Sequence, residues 1–234
     1  MSLDEEFQAT QTPFDLTRYE SPYEINRLKI LKELIPLGHG KSAIDIGCGP
    51  GYFSRELTNK GWRTSSVDTD SENIESAGNY AHETHLGDVL SVLPEHPANQ
   101  YDLALSLEII EHMPKAQGKK LLLEIYRVLK SHGRLIISTP NRFSPEGLGG
   151  YYWGEKIRGW EKWDAADPTH VHIYSSREII QLVKSSRFSV SKIIGYYYKG
   201  TLPLIGRWKL PLLKSTRLPL NRLGFNIILD CRKK

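Results

Sequence analysis

Two groups of residues have the types and spacing to do chemistry. The first begins at Asp45-Ile46-Gly47-Cys48-Gly49-Pro50-Gly51, where an apolar strand runs into a glycine-rich turn. Glycines there let backbone approach a ligand closely. The spacing Gly47, Gly49, Gly51, with Asp45 inside the strand, departs from the G-x-G-x-x-G dinucleotide fingerprint. Asp68, in Ser66-Val67-Asp68-Thr69-Asp70, follows about 20 residues later, and its carboxylate suits a pair of hydroxyls. Asp88 stands in Leu86-Gly87-Asp88-Val89. Taken singly these pieces have ordinary readings, a tight loop for the glycines and a helix cap for each Asp. Their order and spacing carry the weight.

The second group is Glu108, Glu111 and His112 in Ser106-Leu107-Glu108-Ile109-Ile110-Glu111-His112-Met113-Pro114, joined by His170 and His172 in Thr169-His170-Val171-His172-Ile173-Tyr174. Carboxylates and imidazoles together are donor types that suit magnesium, manganese or zinc. Metal-free, His170 or His172 is the preferred general base, because imidazole titrates near neutral pH. The bland alternative has a Glu capping the next helix and the histidines bonded to backbone or packed.

These residues need elements to position them. Ser21-Pro22-Tyr23-Glu24 has the pattern of a helix start, and the helix runs to Ile35 before Pro36 and Gly38. Strands are expected at 42–46, 63–67, 84–86, 101–107, 134–138, 188–194 and 225–232, with helices at 52–60, 71–80, 117–130 and 176–185. The expected fold is α/β: a Rossmann-like, doubly wound, mostly parallel seven-stranded sheet with helices on both faces and an antiparallel last strand. One domain spans 1–234, with an N-terminal helical cap (1–38), a cofactor-binding core (40–140), a cap (141–170) rich in aromatics such as Phe143, Tyr151, Tyr152, Trp153, Trp160 and Trp163, and a basic insertion (195–224). The aromatic cap closes over an acceptor or packs a satellite core. Tyr19 and Tyr23 cover the cofactor or staple the first helix.

Over most of residues 40 to 195 the sequence resembles the class I S-adenosylmethionine-dependent methyltransferases. The resemblance implies cofactor contacts from Asp45, Gly47, Cys48, Gly49, Gly51, Asp68, Thr69, Asp88, Val89, Ser106 and Leu107. Asp68 would take both ribose hydroxyls and Asp88 the adenine amino group. Around Glu108-Ile109-Ile110-Glu111-His112 and Ser138-Thr139-Pro140-Asn141 it is similar to the ubiquinone-pathway O-methyltransferases and the small-RNA 2'-O-methyltransferases, which hold a divalent ion with such a group and a later His. The resemblance implies Glu108, Glu111, His112 and His170 as candidate ligands, with His172 able to replace His170, an ion that would lower the pKa of an acceptor hydroxyl, and catalytic roles for Glu111, His112, His170 and His172. The implied reaction moves a methyl group from S-adenosylmethionine to an oxygen of a quinone precursor, sugar or lipid-linked compound, leaving S-adenosyl-L-homocysteine. An RNA methyltransferase and a non-catalytic cofactor-binding module are the alternatives.

Charge narrows the partners. Net charge is +4, but Gly195 to Gly224 holds Lys199, Arg207, Lys209, Lys214, Arg217 and Arg222 with no acid, so the rest carries −2. No broad basic stripe remains for nucleic acid. The mixture of leucines and cations in 200–222 suits peripheral contact with a membrane or lipid; the alternative has the leucines packed on the sheet and the cations solvated. Mean hydropathy of −0.41, no long apolar run and an acidic start lead to an expected cytoplasmic location, peripheral at a membrane where 200–222 engages one. Two cysteines, Cys48 and Cys231, make no disulfide framework.

Overall fold

The computed structural model describes residues 22–144, 169–196, 214–218 and 220–234. Most of the aromatic cap (145–168), Tyr19, the side chain of Tyr23 and residues 197–213 of the basic insertion lie outside them. The chain divides into two units, up to Val92 and from Leu93.

In the first unit, α1 (Pro22–Leu34) precedes β1 (Ser42–Ile46), α2 (Tyr52–Asn59), β2 (Arg63–Asp68), α3 (Ser71–Gly78), β3 (Glu83–Leu86) and α4 (Val89–Val92). Lys60 Nζ donates to the carbonyls of Lys32 and Ile35, satisfying orphan acceptors at the end of α1. β1 pairs in parallel with β2, from Ser42 opposite Arg63 to Ile46 opposite Val67, and β2 pairs in parallel with β3. Ala43, Ile44, Ile46 and Val67 are fully buried, as the near-continuous apolar runs of a covered parallel sheet require. α2 and α3 pack on these strands. Asp70 caps α3, accepting from the N–H groups of Glu72 and Asn73.

In the second unit, β4 (Tyr101–Leu107) leads through a 3₁₀ turn (Ile110–His112) to α5 (Lys115–Val128) and β5 (Leu129–Pro140). Then come α6 (Ser176–Ser185), β6 (Phe188–Tyr196), β7 (Lys214–Ser215) and β8 (Asn226–Lys233). β4 and β5 are parallel, and β8 lies antiparallel between β5 and β6. The described strands number eight, not the seven expected, the addition being the two-residue β7 on the end of β6.

The largest difference in element boundaries lies where α5 meets β5. α5 ends at Val128, short of the expected Lys130, because Leu129 already pairs with Tyr101. Residues 130–133 then bulge from β5 before Arg134 pairs with Leu103, with His132 at φ 61. α4 was not expected at all; four residues are too few for a periodic signal.

The antiparallel register of β5 and β8 is fastened by a two-pronged ion pair. Arg134 Nε lies 2.7 Å from Asp230 Oδ1 and Nη2 2.9 Å from Oδ2, with both side chains under 15% exposed. Arg134→Ala strands the Asp230 carboxylate in a mostly buried site and costs about 3 kcal/mol of stability. Urea unfolding checks this, and a loss within experimental error would show that the pair is merely placed there.

Candidate active site

The glycine-rich turn is built by hydrogen bonds that hook the end of β1 onto β2. The N–H groups of Gly47 and Cys48 both donate to the Val67 carbonyl, at 2.8 and 3.0 Å. Gly51 opens α2 at φ 91, and a Cβ there would come within 2.7 Å of Ala77 Cα in α3, so only glycine fits. At Gly49 (φ 52) a Cβ would meet nothing within 4 Å, so this part of the turn is an open cradle. Gly49 N–H donates to Asp68 Oδ2 at 2.8 Å, while Asp70 N–H and Asn73 Nδ2 donate to Oδ1. The structure thus brings Asp68 to the glycine turn with its carboxylate already oriented.

Asp45 is 2% exposed beneath this turn. Ser54 Oγ, from the first turn of α2, donates to it at 2.8 Å and lies 2.8 Å from Ser66 Oγ in β2. Burial pushes its carboxyl up to about 7; the Ser54 bond opposes that rise, and the charge of Asp68 adds to it. Sequence reasoning missed Ser54 and Ser66. A serine three residues before the buried Leu57 on α2 is the signal that marks Ser54 as facing the strands. Burial likewise raises the Cys48 thiol, so this cysteine is an inert filler.

Asp88 takes the ordinary reading as well, since Oδ1 accepts from Leu90 N–H at 2.7 Å and so caps α4. Val89 beside it is buried, and Thr69 is exposed. In the second unit Ser106 is fully buried near the end of β4, with no hydrogen bond from Oγ among the described residues. Leu107 is half-buried.

The second unit gathers Glu111, His112 and His170, whose ligand atoms all lie within 4.8 Å of one another. Glu111 is 0% exposed and accepts from Thr139 Oγ1 at 3.1 Å. Its carbonyl accepts from both Val171 N–H and His172 N–H at 2.9 Å, and Arg142 N–H donates to the Tyr174 carbonyl. These bonds lay the His170–Tyr174 segment beside the 3₁₀ turn, and Ser175 then opens α6 in a capping box with Glu178. His112 Nδ1 is engaged by Thr169, which leaves Nε2 for a proton or a ligand. The His112 and His170 rings meet edge to face at 4.9 Å.

Two of the sequence candidates stand apart from this group. Glu108 is not among its ligand atoms: Ser138 Oγ donates to Oε1 and Asn226 Nδ2 donates to Oε2 at 2.8 Å. Its backbone sits at φ 58, a costly conformation for a non-glycine residue, stabilised here by those bonds and by Glu108 N–H on the Ser138 carbonyl. Glu108 is therefore a clamp, engaged by Ser138 and Asn226 apart from the Glu111, His112 and His170 group. His172 packs edge-on against Tyr174 at 4.5 Å, and its buried Nε2 has no hydrogen bond among the described residues. Burial, and then the nearby carboxylates of Glu111 and Glu178, push the Tyr174 hydroxyl up to about 12. It stays protonated.

The architecture and both groups of residues have counterparts in known proteins. Residues 19–192 match the family described as Methyltransferase domain. The chain belongs to this methyltransferase family. Among curated proteins it is 29% identical over 174 residues to the ubiquinone biosynthesis O-methyltransferase of Rickettsia conorii, covering 71% of this chain and 56% of that protein. The corresponding protein of Rickettsia bellii is 31% identical over 162 residues, covering 66% and 64%. The chain thus spans under two thirds of the length of these curated relatives. A SAM-dependent methyltransferase structure from Thermotoga maritima superposes with a TM-score of 0.65 at 20% identity, covering 94% of this chain and 96% of that one. One from Archaeoglobus fulgidus gives 0.67 at 17%, covering 93% and 97%. The fold is accordingly the Rossmann-like α/β fold of class I S-adenosylmethionine-dependent methyltransferases, and the oriented Asp68 carboxylate beside an open glycine cradle fits that cofactor in shape and chemistry.

Burial of Asp45 gives the stability of the chain a distinct pH dependence. Its folded-state pKa of about 7 lies above the ordinary 3.8, so the folded state holds a proton that the unfolded state releases. The resulting stability is fully present below pH 4 and is lost as pH rises through 7, a swing on the order of 4 kcal/mol. Asp45→Asn flattens that profile, and denaturant midpoints at pH 5 and pH 8 measure it. An unchanged profile would place the proton elsewhere.

Proposed function

We propose that the chain transfers a methyl group from S-adenosylmethionine to an oxygen of a small-molecule acceptor: a quinone precursor, a sugar or a lipid-linked compound. The observation that carries the reading is Glu111, a fully buried carboxylate with two imidazoles within 4.8 Å. A carboxylate sealed from water stays ionised only beside a positive charge, and an imidazolium formed on His170 supplies one. The name of the Rickettsia relatives, ubiquinone biosynthesis O-methyltransferase, supports oxygen as the attacking atom.

The cofactor, when bound, supplies an electrophilic methyl on a sulfonium, whose carbon–sulfur bond breaks as the carbon–oxygen bond forms, the electron pair leaving with sulfur. The chain's work is alignment and proton removal. Asp68 holds the ribose hydroxyls with the two oxygens that Gly49, Asp70 and Asn73 now orient. Asp88 and Val89 bound the adenine. A ring nitrogen of His170 takes the acceptor's hydroxyl proton, and Glu111 stabilises the imidazolium that results. His172 shapes the wall through its contact with Tyr174.

Glu111, His112 and His170 also fit a divalent ion in their donor chemistry, one carboxylate oxygen and two imidazole nitrogens, a set suited to manganese or zinc. An ion held there would lower the pKa of the acceptor hydroxyl. Reaction with and without chelator separates this reading from the metal-free one.

Purified protein is incubated with radiolabelled S-adenosylmethionine and cell extract, and label is counted in organic, small aqueous and RNA fractions. Label in either of the first two supports the proposal; label confined to RNA, or none anywhere, overturns it. Asp68→Asn weakens cofactor binding in calorimetry by at least tenfold, since it removes a charged acceptor of two hydrogen bonds. His170→Ala lowers kcat by 10² to 10⁴ (roughly the range for loss of a general base) with cofactor affinity unchanged. Full turnover in His170→Ala would move the base elsewhere.

A further inference from the structure

The connection between β7 and β8 has an unusual surface. Leu218, Leu220 and Leu223 are 66%, 52% and 38% exposed, three large apolar side chains within six residues. They alternate with Arg217 and Arg222, both exposed, and neither arginine pairs with an acid among the described residues. From Lys214 to Gly224 the chain has no acidic and no aromatic side chain.

The exposure of the leucines is built in. Asn221, 6% exposed, points inward; its N–H donates to the Arg217 carbonyl at 2.9 Å and its Nδ2 to the Thr216 carbonyl at 3.1 Å. Asn141, at the end of β5, donates through Nδ2 to the carbonyls of Arg222 and Gly224 and so pins the far side of the turn. Leu223 N–H closes on the Leu220 carbonyl at 3.1 Å. In this 3₁₀ geometry residues three apart eclipse, so Leu220 and Leu223 share one side. A fixed turn that shows leucines together with arginines that no acid among the described residues engages has a surface unlike that of a solvated loop.

We propose that this turn docks the protein on an anionic membrane surface, Leu218, Leu220 and Leu223 entering the headgroup–acyl boundary while Arg217 and Arg222 pair with lipid phosphates. Alternation of apolar and cationic side chains without acids is the chemistry of an interfacial anchor. Single-stranded RNA would call for stacking aromatics, which this turn lacks. Docking stands independently of the reading of the methyl acceptor.

The full chain is sedimented with vesicles of phosphatidylcholine containing phosphatidylglycerol and with pure phosphatidylcholine vesicles, at low and high salt. Binding is expected to the anionic vesicles only, and weaker at high salt. Each arginine near the surface adds about fivefold, so the double variant Arg217→Ser/Arg222→Ser loses about 30-fold in affinity. Leu218→Ser/Leu220→Ser also binds more weakly. Because Cys48 and Cys231 are both buried, a Leu218→Cys variant takes a nitrobenzoxadiazole label at that site alone. Its fluorescence rises on anionic vesicles, a readout independent of whether the serine variants fold normally. A labelled Cys that stays dark, wild-type affinity in the arginine variant, or binding to polyuridylate in place of vesicles overturns the proposal.

Discussion

The first unit depends on how abruptly β1 must become α2. Five residues, 47–51, carry the chain from the end of a buried strand into a helix, and the Gly47, Cys48 and Gly49 N–H groups are all spent on the end of β2. Such a short connection sets where α2 begins, and therefore places Ser54 directly under the strand, within reach of Asp45 and Ser66. It also lets α3 approach so closely that Gly51 and Ala77 leave no room for a side chain between them. Ser76 Oγ then donates back to the Pro50 carbonyl, fastening α3 to the same turn. One tight turn thus fixes two helices and the carboxylates that border it.

Both units bury a carboxylate completely, and they meet its desolvation cost in different ways. Among the described residues Asp45 is hydrogen-bonded by Ser54, whose hydroxyl is in turn bonded to that of Ser66, and no cation stands beside it, so burial dominates and the group keeps its proton to about pH 7. Its role is then to hold a hydrogen-bonded layer beneath the glycine turn. Glu111 has a threonine hydroxyl, but also two imidazoles within ligand distance. A neighbour that can become cationic lets a buried carboxylate remain charged. That difference in surroundings, not in residue type, is why the proposed proton chemistry falls to Glu111 and its imidazoles and not to Asp45.

Legibility in the sequence followed the range of the interactions. The place of Asp68 beside the glycine turn was readable because a strand end and a glycine turn are both local patterns. Glu108 and Glu111 looked alike at i and i+3, yet the left-handed backbone at Glu108 and the 3₁₀ turn after it send them to different partners. The residue that claims Glu108, Asn226, lies 118 positions away, and no local spacing announces it. As general bases His170 and His172 were equivalent in the sequence. Only the seating of 170–174 on the Glu111 carbonyl assigns one to the Glu111–His112 group and turns the other toward Tyr174. The bulge at 130–133 hid similarly, because apolar periodicity does not distinguish a helix end from a strand that starts early.

The same distinction explains why the connection into β8 can carry an exposed apolar surface without disturbing the chemistry. β8 enters the sheet at Asn226, whose side chain holds Glu108 and whose backbone lies opposite Pro140. Farther along, Arg134 and Asp230 lock the register of β8 against β5. Between these fixed points and the tip stands Asn141, gripping the carbonyls of Arg222 and Gly224. Side chains at 217–223 can therefore change with little effect on Glu108 or Glu111, whereas a change at Asn141 or Asn226 reaches both the turn and the clamp. Loops held at the root and variable at the tip are where a conserved scaffold can acquire a new surface.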